Sequence, residues 1–185
     1  MKNQKSIAIG YFATMITMVI AMSIDVEAAG NETNVQTDRV ELPSFELSLM
    51  GESGVVNRES LKGEYYLLHI WSAECPISTK EMPYLHELYW EMSGEEFDIV
   101  SVSIDQNQRL VENFIKQVYP MPWTHANVGR EMYRLQPFVS DFDLDGFPVK
   151  ILVSPEGEVM DINQGFGGPY YINKIEDLIS GSEYI

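Results

Sequence analysis

Residues 65–83, Tyr65-Tyr-Leu-Leu-His-Ile-Trp71-Ser-Ala-Glu-Cys75-Pro-Ile-Ser78-Thr-Lys-Glu-Met-Pro83, change character after Trp71. Up to that point the run is apolar and aromatic apart from His69. It lacks the polar alternation of a half-exposed strand and reads as one buried on both faces. After Cys75-Pro76, the positions Tyr84, Leu85, Leu88, Tyr89 and Met92 recur at helical spacing up to Gly94, with a kink expected at Pro83. The single cysteine of the chain therefore stands where a buried strand hands over to a helix.

Further along, Phe97 to Ile104 reads as a second buried strand, and Leu110, Val111, Phe114, Ile115 and Val118 as an amphipathic helix ended by Pro120. Val149 to Val153 and Val159 to Ile162 flank Ser154-Pro-Glu-Gly157 as a hairpin. Tyr171, Ile172, Ile175, Leu178 and Ile179 mark a last helix, preceded by the short loop Gly165-Phe-Gly-Gly168. Upstream, Phe45, Leu47 and Leu49 alternate as an edge strand before a turn at Gly51 to Gly54. Strand, helix, strand, helix, hairpin and helix in that order predict an α/β fold with a mixed central sheet and helices on both faces.

At the N-terminus, Lys2 and Lys5 precede an apolar run from Ile7 to Met22, and Val26-Glu27-Ala28 places small residues at −3 and −1 for cleavage after Ala28. These are the three parts of an export signal over residues 1–28. Counted through Ile24, the run is also long enough to stay uncleaved as a membrane tether over residues 7–24. Residues 29–39 are polar and read as a flexible leader, which leaves residues 40–185 as one domain.

The net charge of −16 falls in that mature part, because the first 28 residues carry two lysines balanced by two acids. A surface of that sign repels phosphate backbones, so nucleic acid is not an expected partner. One cysteine excludes an internal disulfide. In an oxidising compartment, Cys75 is then buried and inert, kept free for a reason, or joined to a second copy in a disulfide-linked dimer.

The segment from Trp71 to Pro83 resembles the Trp-x-x-x-Cys-x-x-Cys turn of the extracytoplasmic thioredoxin-like reductases of the TlpA and ResA type, down to the Lys-Glu-Met-Pro stretch after the motif. Gly146-Phe147-Pro148 before a strand looks like that family's cis-proline loop, and the similarity extends from about Leu42 to Ile179. The resemblance implies a thioredoxin fold and protein or peptide thiols and disulfides as partners. It also implies peptide contacts from Trp71, Pro76, Phe147 and Pro148, with no cofactor. One position departs from the pattern: Ser78 stands where the family has its second cysteine.

That departure bears on mechanism. A thiolate that attacks a disulfide forms a mixed disulfide, which an ordinary member resolves with its second thiol. With Cys75 and Ser78 as the candidate catalytic pair, resolution needs an outside thiol, which suits monothiol exchange, isomerisation or thiol capture. A binding module without catalysis and a one-cysteine peroxidase are the alternatives. The helix N-terminus and Ser78 favour a thiolate, whereas Glu74 opposes one by on the order of 1 kcal/mol.

Other patterns do not complete a site. Asp141-Phe-Asp143-Leu-Asp145-Gly146 opens like a calcium loop, but Leu152 occupies the position where a bidentate glutamate is required. His69, His86 and His125 lack zinc-ligand spacing, so no metal is expected.

Overall fold

The computed structural model describes residues 40–51 and 53–181. The signal, tether and leader read from the sequence all lie outside them.

Strands β3 (Tyr65–Trp71) and β4 (Phe97–Ser103) run parallel, as two strands must when a crossover helix joins them, here α1 (Pro76–Glu91). A second crossover leads to β5 (Thr124–Asn127), which lies parallel to β4. The hairpin of β6 (Val149–Val153) and β7 (Val159–Gln164) adds antiparallel to the other side of β3, giving the order β5-β4-β3-β6-β7. This is the mixed sheet of a thioredoxin-like α/β fold.

The period of two along β3 sorts its side chains between two cores. Tyr66, Leu68 and Ile70 face one way, packed with Val100, Val102, Ile151 and Phe138. Leu67 and Trp71 face the other, against Met82, Leu85 and Leu88 of α1 and Ile175 of a C-terminal helix. Both faces are covered, which is why the strand is apolar and aromatic apart from His69.

The second crossover differs from the single helix expected over Leu110 to Val118. It divides into α2 (Gln108–Asn113) and a wider π-type turn over Phe114–Val118, closed by Tyr119 N–H donating to the Phe114 carbonyl at 2.9 Å. The edge strand expected near Phe45 is β1 (Glu46–Ser48). It pairs with β2 (Val55–Asn57) in a separate two-stranded sheet that reaches β5 through a bridge from Leu49 to Ala126. Two short helices not anticipated from the sequence, α3 (Gly129–Arg134) and α4 (Pro137–Asp141), follow β5, and α5 (Gly168–Ser180) closes the chain. Helix α1 continues through Pro83.

Candidate active site at Cys75

Cys75 is the N-cap of α1, in an extended conformation, with Pro76 opening the helix. Its N–H donates to the Ser72 carbonyl at 3.1 Å and its carbonyl accepts from Thr79 N–H at 3.0 Å, so the backbone is held from both sides. The sulfur makes no capping bond to the backbone and is partly exposed. Around it stand the N–H groups of the first helical turn, which have no intrahelical partner.

Burial acts to raise the Cys75 pKa. The Ser78 N–H, the Ser78 hydroxyl and the Ile77 N–H outweigh it, and the pKa is lowered from the ordinary value of 9.0. Ser78 itself is fully buried, and its Oγ makes no hydrogen bond of ordinary geometry. Its influence on the sulfur is therefore that of a nearby dipole, and it strengthens once the sulfur is charged.

The sequence pointed to Glu74 as the opposing charge. In the structure Glu74 is exposed, and the carboxylate that raises the thiol pKa is the buried Asp105, at the end of β4. Asp105 also builds the turn: Oδ1 accepts from Ser72 Oγ at 2.6 Å, and Oδ2 accepts from Ala73 N–H at 2.8 Å and from Ser103 Oγ at 2.7 Å. Asn127 Nδ2 donates to the Asp105 carbonyl at 3.0 Å, tying β5 into the same network. Nothing in the local sequence joins Asp105 to Ser72, thirty-three residues away. The available signal was a lone acid directly after a buried strand.

The register of β3 with β6 pairs Ile70 with Val149, which brings the Phe147-Pro148 loop and the Ser72–Cys75 turn out at the same end of the sheet. The Phe147–Pro148 peptide bond is cis. Pro148 is buried and its carbonyl accepts from Gly165 N–H at 2.7 Å, while Phe147 is half-buried against Tyr133. Pro76 is exposed beside the sulfur. Trp71 is fully buried, tilted against Phe114 and stacked on His69, so its ring packs the core and is not presented to a docking peptide. Among the described residues no group of three or more His, Cys, Asp or Glu is placed to hold a metal ion.

A family model described as thioredoxin-like matches residues 63–159, from the entry of β3 to the start of β7. The chain belongs to the thioredoxin-like family. Thiol-disulfide oxidoreductase ResA of Oceanobacillus iheyensis is 28% identical over 129 residues, covering 66% of this chain and 62% of that protein. Sporulation thiol-disulfide oxidoreductase A of Bacillus subtilis is 36% identical over 102 residues, 53% of this chain and 58% of that one. The chain thus spans about three fifths of the length of these curated relatives. Among solved structures, a thiol:disulfide interchange protein from Bacteroides sp. superposes with a TM-score of 0.67 at 24% identity, over 78% of this chain and 91% of that one. StoA from Bacillus subtilis does so with a TM-score of 0.57 at 20% identity, over 72% and 96%. Both share the thioredoxin-like fold, and in this chain that fold carries its lone cysteine at the head of α1.

Proposed function

We propose that this thioredoxin-like protein performs thiol–disulfide exchange through Cys75 alone. The observation that carries the reading is a partly exposed sulfur whose pKa is held down, against burial, by the Ser78 and Ile77 N–H groups and the Ser78 hydroxyl. In the first step the Cys75 thiolate attacks one sulfur of a partner disulfide. A Cys75–partner S–S bond forms, the partner's own S–S bond breaks, and its second sulfur leaves as thiolate. Ser78 has no sulfur to resolve this, so the mixed disulfide persists until a different thiol of the partner or an external thiol attacks the partner's sulfur and releases the Cys75 thiolate. The net reaction is isomerisation in the first case and monothiol exchange in the second. Pro76 and Phe147 form the surface on which the peptide lies, with buried Pro148 shaping the loop behind it and Trp71 supporting it from the core. We also read residues 1–28 as an export signal or, uncleaved, as a tether through residues 7–24, with the domain of residues 40–185 facing out of the cytoplasm.

The test is accumulation of a covalent adduct between the purified protein and an oxidised peptide near neutral pH, read by intact mass. Wild type should form it, Cys75→Ala should not, and Ser78→Cys should lower its steady level by more than about tenfold, because an internal thiol acts at high effective concentration. If wild type forms no adduct yet binds the peptide as well as Cys75→Ala does, the domain is a binding module. Rapid sulfenic acid formation with peroxide, and none of the adduct, points instead to peroxidase chemistry.

A further inference from the structure

Strands β3, β4 and β5 are parallel, so their C-terminal ends emerge on one side of the sheet, where open α/β folds hold ligands. Cys75 follows β3 and α3 follows β5 at that end. Between α3 and the Phe147-Pro148 loop lies a cleft of about 440 Å³. Its walls are Tyr133, Val139, Leu144 and Phe147, and Arg130, Arg134 and Asp145 add charge to them. The same two arginines border a second cleft that reaches Glu74, the neighbour of Cys75. The first cleft thus continues the surface at Phe147 on which the peptide was placed.

The lining decides the ligand class. Tyr133 and Phe147 present two tilted rings with centroids 5.3 Å apart. A cavity of about 150 Å³ holds a benzene ring, so one aromatic side chain fits with room for the main chain that carries it. Tyr133 is buried and its Oη has no hydrogen-bond partner, an unmade bond in the cleft wall. Burial pushes its pKa up to about 12, so it remains a neutral donor. Arg130 and Arg134 are exposed, and the ion pairs among the described residues engage other cations. A carboxylate here would meet Asp145, with Glu74, Asp105 and Glu131 in the adjoining cleft, and a cation would meet the two arginines. A neutral ring meets neither penalty. Its negative face accepts a guanidinium and its positive edge suits a carboxylate.

We propose that this cleft is a subsite for an aromatic side chain of the partner, stacked under the guanidinium groups of Arg130 and Arg134 against Tyr133 and Phe147, so that Cys75 selects disulfides flanked by Phe, Tyr or Trp. This rests on the reading of Cys75 as an exchanging thiol and names the substrate class for it. The two arginines and the two rings act here as specificity-determining residues, and the thiol chemistry stays with Cys75.

The experiment compares two oxidised peptides that differ only in Phe against Leu beside the cysteine, at physiological ionic strength. Both residues are apolar, so the comparison isolates the ring. Wild type should form adduct with the Phe peptide about threefold faster, and the ratio should fall to near one in Arg130→Gln/Arg134→Gln, whose changes lie on the exposed face of α3. Equal rates for both peptides with wild type overturn the inference and leave the exchange reading in place. A preference for Phe that survives the double variant overturns it as well, because the ring is then read elsewhere. If neither peptide reacts, the exchange reading falls, and binding of the two peptides to Cys75→Ala decides the subsite. An arginine-dependent preference for Phe keeps it, and equal binding ends it.

Discussion

Lys150 of β6 donates to Glu81 of α1 across 2.5 Å, in a place where neither side chain is more than 2% exposed. Lys150 Nζ also donates to the Gly165 carbonyl at 2.5 Å and lies over the Tyr171 ring, while Glu81 Oε1 accepts from Gly167 N–H at 2.5 Å. Burial pushes the Lys150 pKa down and the Glu81 carboxylate pushes it back up. The pair thus joins the helix that carries Cys75, the strand that follows Pro148 and the loop before α5. Close approach is part of the design: a Cβ on Gly167 would stand 2.5 Å from Cβ of Tyr171.

Removing either charge alone strands the other in the core. Lys150→Met and Glu81→Leu should each lower the unfolding free energy by about 3–5 kcal/mol. The double variant should lose much less than the sum, about 1–3 kcal/mol, from the loop hydrogen bonds that remain unmade. Denaturant unfolding of the full cycle checks this, and strictly additive losses would remove the ion pair from the explanation.

The thiol should move in opposite directions when its two neighbours are altered. Ser78→Ala removes a donor to the thiolate, so the Cys75 pKa should rise. Asp105→Asn removes the opposing negative charge, so it should fall further below 9.0, with some loss of stability from the altered turn. Alkylation rate against pH reads both, and shifts of the same sign would contradict the assignment.

Acid should weaken the fold through His69. Its ring is fully buried, Nδ1 lies 3.0 Å from Ser101 Oγ, and Nε2 has no partner to accept a second proton. Burial first, then Lys150 and His125, hold its pKa well below 6.5, and burial also lowers that of His125. The folded state resists a proton that the unfolded chain accepts, so stability is intact above the unfolded value and declines as pH falls through it. The expected slope is about 1.4 kcal/mol per pH unit for each such histidine. Unfolding free energies between about pH 7 and about pH 5 should decline less steeply in His69→Leu than in wild type, and parallel curves would clear His69.

Where the sequence pattern was continuous, it was legible. Tyr65 to Trp71 and Phe97 to Ser103 are largely buried on both faces and so carry mostly apolar runs, interrupted at His69 and at Asp98, Ser101 and Ser103, and α1 carries a long helical period, which is why strand, helix and Cys75 could be read in place. Strand β5 could not. Its four residues, Thr124-His-Ala-Asn127, present one fully buried side chain, and the two short helices after it are divided at Leu135-Gln136, with Pro137 opening the second. The sequence by itself determined the fold and the position of the lone thiol, because both follow from local spacing along adjacent segments. Only the tertiary structure decided what surrounds that thiol. Asp105 reaches it from the end of β4, through burial and a Coulomb interaction that depend on distance in space and leave no period in the chain.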